Sequence, residues 1–221
     1  HLAITVPLCW FALPRAAPAS PRIEPEGGAP VARRRAGGLR FWCIAIAGMV
    51  LMVIASIWSV HLITVLTAQG HTLAAAVGLG ALIGPAQVGG RVMEMLGRGR
   101  HHPIWTMLAA TSLVLAGFVG LSLDLPAGGA LVAYGAGNGL WSIARGSLPL
   151  AVFGADDYAT TMGRLATPML LAGAAAPTLG GLLFEAWGAH GTLVALSAAA
   201  TIPCAAAALL WLDLARRGRA P

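Results

Sequence analysis

Six long apolar runs dominate the chain, near residues 41–66, 73–95, 104–123, 129–153, 161–186 and 191–212, and short hydrophilic stretches separate them: TAQGHT, GRGRHHP, LDLPAG, GADDYAT and WGAHG. About 20 apolar residues in helical conformation cross the roughly 30 Å of bilayer hydrocarbon, so each run is long enough to span it. None shows the alternation of apolar and polar residues over about ten positions that marks the strand of a membrane barrel. The pattern predicts an all-α membrane protein, a six-transmembrane-helix bundle over residues 41–213 with a tail at 214–221. Connections this short make successive helices antiparallel neighbours.

Composition agrees and excludes an ordinary soluble domain: 57% of residues are hydrophobic, only 10% are charged, and the mean hydropathy is +0.77. Charge adds an orientation. All fourteen basic side chains are arginine. Arg15, Arg22, Arg33, Arg34, Arg35 and Arg40 precede the first run, Arg91, Arg98 and Arg100 follow the second, Arg164 opens the fifth, and Arg216, Arg217 and Arg219 close the chain. The breaks at 67–72, 124–128 and 187–190 hold none. Short cytoplasmic loops retain arginine, which makes the arginine-rich side cytoplasmic and the protein a multi-pass resident of the cell inner (plasma) membrane, with its linker and C-terminus inside. Trp42, Trp105, Trp187 and Trp211 mark span ends, as interfacial aromatics do. This arrangement implies the lipid bilayer as partner and no nucleic acid.

Ahead of the bundle, residues 1–14, HLAITVPLCWFALP, are mostly apolar and give way at Arg15 to a linker over 15–40 rich in Pro, Ala, Gly and Arg. A signal peptide cleaved near Ala17-Pro18-Ala19 is one reading, but it lacks a basic leader and would leave the arginine-rich linker outside. The reading that fits the charges is the truncated end of a transmembrane helix, which makes the chain a fragment of a longer protein. With that helix end, a basic linker and six spans, the chain resembles the C-terminal half of a major facilitator superfamily transporter, helices seven to twelve preceded by the tail of helix six. Residues 90–100, GRVMEMLGRGR, carry a degenerate form of that family's cytoplasmic loop signature: Gly90, Glu94, Gly97 and Arg98 fall on it, Met95 and Gly99 replace basic positions, and Arg100 stands in for one. The resemblance implies a gating loop here and a missing N-terminal six-helix half as partner. Without it, Glu94 is an acceptor for arginines or for a neighbouring helix N-terminus, and ordinary interfacial charge remains the other reading.

Arg145 is the one arginine off the cytoplasmic side, about 12 Å short of its helix end at 1.5 Å per residue. It costs about 2.5–3.5 kcal/mol at a bilayer centre on insertion scales. Tyr134, Asn138, Ser142 and Arg145 recur at spacings of four, four and three, one polar stripe along the helix. Either Arg145 snorkels to the cytoplasmic interface or the stripe lines a wet cavity; the resemblance implies the cavity, since this span corresponds to helix ten of the family. His61 is either a ligand-binding or protonatable cavity group or a satisfied histidine near the outer interface, and Gln87 is read as an interhelical hydrogen-bonding group. Gly80 and Gly84, and Gly135 and Gly139, form small-xxx-small pairs that permit close helix approach, while Pro85, Pro149, Pro168 and Pro177 permit bending.

Cys9, Cys43 and Cys204 show no CxxC spacing, so no metal site is expected, and no cofactor is. No nucleophile motif, paired-aspartate motif or HExxH points to an enzyme, and there is no Walker motif for direct ATP use. The expectation is a secondary active transporter moving a small-molecule solute by alternating access; the alternative is a channel or the permease subunit of a multi-component transporter. A cationic cavity favours an anionic substrate. With no Asp or Glu deep in the spans, proton coupling would fall to His61 or to the missing half.

Overall fold

The computed structural model describes residues 38–97, 100–156 and 158–216, and these are helical with no strand among them. Helix α1 is Leu39–Ala68, α2 Leu73–Ala81, α3 Ile83–Leu96, α4 Pro103–Ser122, α5 Ala127–Phe153 and α6 Tyr158–Arg216. Arg40, counted with the linker in the sequence, is the second residue of α1; the rest of the 15–40 segment up to residue 37, and residues 1–14, lie outside the described residues.

Local chemistry sets the boundaries. Thr72 caps α2 by accepting from the Ala75 amide at 3.2 Å, and His102 caps α4 through Nδ1 with Pro103 in the first turn. The helices α2 and α3 are one stretch with a gap at Leu82, whose backbone is still right-handed helical. Pro85 has no N–H to return to the Ala81 carbonyl, and the ladder breaks there. Just past the end of α4, Asp124 has a left-handed φ of 52° that lets the Leu125 amide reach back to Gly120 O at 2.9 Å.

Six separate spanning helices were expected, and the described residues give five helical stretches instead. The expected runs 161–186 and 191–212 belong to the single long helix α6, interrupted by one residue, Gly188, at φ 65° and ψ −169°. The hydrophilic WGAHG therefore contributes no separate loop. The arms of α6 run in opposite directions nonetheless. Met169 packs into the notch at Gly48, while Asp213 accepts from Arg40 Nε at 2.6 Å, so both touch the N-terminal part of α1. On a straight helix those two residues would be about 66 Å apart. Trp105 at the start of α4 and Trp211 near the end of α6 meet at a tilt at that same end, with ring centroids 6.0 Å apart.

Four stretches, α1, α2–α3, α4 and α6, are long and apolar enough to cross a membrane. Helix α5 has the length, at 27 residues, but Asn138, Arg145 and its many glycines lower its apolarity. An aromatic cluster joins α1, α4 and α5: Trp58, Phe118 and Tyr134 meet edge to face with centroids 5.2, 6.3 and 5.3 Å apart. Lipid tails are as apolar as these side chains, so close packing rather than expulsion from water holds such helices together. Backbones approach closely between α3 and α5, where Gly139 sits against the Gln87 carbonyl and Gly90 against the Ala136 carbonyl.

Candidate functional site

The stripe read from α5 divides in three dimensions. Tyr134 is buried in the aromatic cluster, 4% exposed, and packs between helices instead of facing open space. Asn138 is half-buried one turn further on. Ser142 and Arg145 line a hollow of about 290 Å³ bounded by α1, α5 and the first arm of α6, with Ile44, Met52, Trp141, Met162, Leu165 and Met169 among its other walls. The three-residue spacing brings Ser142 and Arg145 to one side, whereas the four-residue steps back to Tyr134 carry the stripe around the helix into the core.

Sequence reasoning placed Arg91 among the loop charges, and its role was missed. It lies on α3, and its Nε donates to Ser142 Oγ at 2.9 Å, while Ser142 Oγ donates to the Gly139 carbonyl at 2.6 Å. Only the close approach of α3 to α5 at Gly139 makes that reach possible, and no pattern within either segment announces a pairing across the two. No acidic side chain pairs with Arg91 or Arg145 among the described residues, where the ion pairs are Arg40 with Asp213 and His101 with Glu94.

His61 stands apart from this hollow. Its Nε2 lies 3.0 Å from the Pro177 carbonyl, a bond that requires the ring to donate from that nitrogen, and its ring packs against Gly180. It ties α1 to α6. Gln87 lends its backbone to the Gly139 contact.

At the end where α3 meets α4, Glu94 Oε1 accepts from Thr106 Oγ1 at 2.6 Å and lies 3.1 Å from His101 Nε2. Its partners are therefore a first-turn threonine and a loop histidine, with no arginine among those found. Gly97 closes α3, Arg100 is exposed, and Arg98 lies outside the described residues. Beside this cluster, burial holds the His102 imidazole below the usual histidine value.

Two further hollows differ in chemistry. One, lined by Val53, Ile57, Leu183, Trp187 and their neighbours, is apolar throughout; the other, at the opposite end from Arg40, gathers Gln69, His71 and Asp124 between the α1–α2 and α4–α5 connections. No group of three or more His, Cys, Asp or Glu that could hold a metal ion occurs among the described residues. Of the three hollows, the one at Arg145 combines a fixed charge, a hydroxyl and an apolar wall, the composition of a small-molecule site. No family model, no curated protein and no solved structure matches the chain.

Proposed function

We propose that this bundle belongs to a secondary active transporter of the major facilitator kind, moving a small anionic solute by alternating access, and that the hollow at Arg145 is part of its solute path. One observation carries the reading: a guanidinium with no acidic partner among the described residues opens into a hollow between three helices of a mostly apolar bundle. An intramembrane ionisable group of that kind marks a substrate or ion pathway by default.

In this reading α5 and each arm of α6 cross the bilayer, which gives six passes. The end carrying Arg40, Arg100 and Arg216 faces the cytoplasm of the plasma membrane. The α2–α3 stretch is only 11% buried within its spanning window, and a companion six-helix bundle would cover it. The Glu94–Thr106–His101 contacts would form and break as the bundles rock.

The test is gradient-dependent flux of organic anions in proteoliposomes, comparing wild type with Arg145→Ala. Flux that falls at least tenfold in the variant, with membrane insertion retained, is the expected result. Unchanged flux would make Arg145 a topology anchor and remove the reading.

A further inference from the structure

The walls of the Arg145 hollow ask for more than an anion. Apart from Ser142 and Arg145 its lining is apolar, and three of the apolar side chains, Met52, Met162 and Met169, are unbranched thioethers that adapt to irregular shapes. A compact hydrophilic anion would satisfy the guanidinium and lose water without filling that wall. An uncharged apolar molecule would fill the wall and leave the charge unanswered. The charge in that lining is Arg145, whose guanidinium has the planar geometry that suits a carboxylate, sulfonate or phosphate.

We infer that Arg145 holds the head of an amphipathic anion, a single acidic group on an apolar tail, and that the tail lies against Trp141 and the three methionines. The inference names the substrate class of the site proposed above and rests on that reading for the fate of the ligand, though not for its binding. Volume bounds the tail. At about 290 Å³ the hollow lies at the lower edge of small-molecule sites, which suits one medium chain or a compact ring system and is too small for a diacyl lipid. A free solute is therefore assigned in preference to a bilayer phospholipid, although both present the same anionic chemistry.

The test is calorimetric titration of the full chain in nanodiscs of zwitterionic lipid with three probes: octanesulfonate, octanol and methanesulfonate. Octanesulfonate keeps its charge across the working pH range. It is expected to bind at least tenfold more tightly than either of the others. Arg145→Gln is expected to weaken it at least tenfold, Arg145→Lys less, and Ala166→Leu, which fills part of the hollow without touching charge, should also weaken it. Asp124→Asn, at the end of the bundle opposite Arg40, serves as the charge control and should leave binding unchanged. Equal affinity for octanol and octanesulfonate, or an unaltered affinity in Arg145→Gln, would overturn the inference. Repeating the titration with phosphatidylglycerol in the disc separates the sources: a tenfold competitive weakening would overturn the free-solute assignment and give the site to a lipid head. Binding without gradient-driven flux would sink the transport reading and leave this site standing, whereas flux of methanesulfonate with no octanesulfonate binding would do the reverse.

Discussion

Single atoms decide several of the contacts on which the bundle depends. A methyl group at Gly139 would stand 2.3 Å from the Gln87 carbonyl oxygen, against rigid backbone, whereas one at Gly129 on the same helix would meet nothing within 4 Å. Gly139→Ala should therefore lose about 1–3 kcal/mol or more by overpacking, and Gly129→Ala should gain roughly 0.4–1 kcal/mol by restricting the unfolded chain. Unfolding of the two variants in matched micelles measures the difference. His102 supplies a pH-dependent contact. Its neutral Nδ1 accepts from the Ile104 amide at 3.2 Å, and protonation would turn that acceptor into a donor facing the positive end of α4. Burial lowers its folded pKa, so its contribution is complete above the usual value of about 6.5 and declines as pH falls toward the lower folded value. His102→Asn keeps a cap and does not titrate there. Its melting temperature should be flatter than wild type's below about pH 6.5, with a difference no larger than the ~1 kcal/mol of one helix cap.

At the scale of elements, hydropathy made the helical segments legible to within a few residues: runs near 41–66, 104–123 and 129–153 became Leu39–Ala68, Pro103–Ser122 and Ala127–Phe153. The break near Pro85 was legible too, because a missing N–H acts on its own helix wherever the helix packs. The turn at residue 188 was read as a polar loop, since WGAHG looks like one in composition. A single glycine in a backbone region almost closed to other residues makes it instead. Gly188→Ala should cost about 1–3 kcal/mol, seen as weaker contact between the arms of α6: a disulfide or cross-link engineered between the arms should form less readily than in the parent. Equal cross-linking would show that the chain reverses without help from Gly188. What stayed hidden was tertiary. The Arg91–Ser142 bond and the burial of Tyr134 both depend on how α5 is rotated against α3 and α4, and a stripe on one helix does not record that rotation.

For the molecule as a whole, the composition and the long apolar helices speak for a membrane bundle, and the proposed chemistry lies in one amphipathic hollow. Transport through that hollow requires it to be wet inside the bilayer. If Arg145 faced lipid and merely snorkelled, the apolar wall of the hollow would hold acyl chains. The two states differ in the solvent that reaches Ser142. The direct measurement is thiol accessibility: Cys9, Cys43 and Cys204 are replaced, a single cysteine is placed at Ser142 or at the exposed position Ile202 on the second arm of α6, and intact vesicles of known orientation are treated with a charged, membrane-impermeant methanethiosulfonate. The account predicts that Ser142→Cys is modified, that octanesulfonate slows the modification, and that Ile202→Cys stays silent. A Ser142→Cys as unreactive as Ile202→Cys would contradict it.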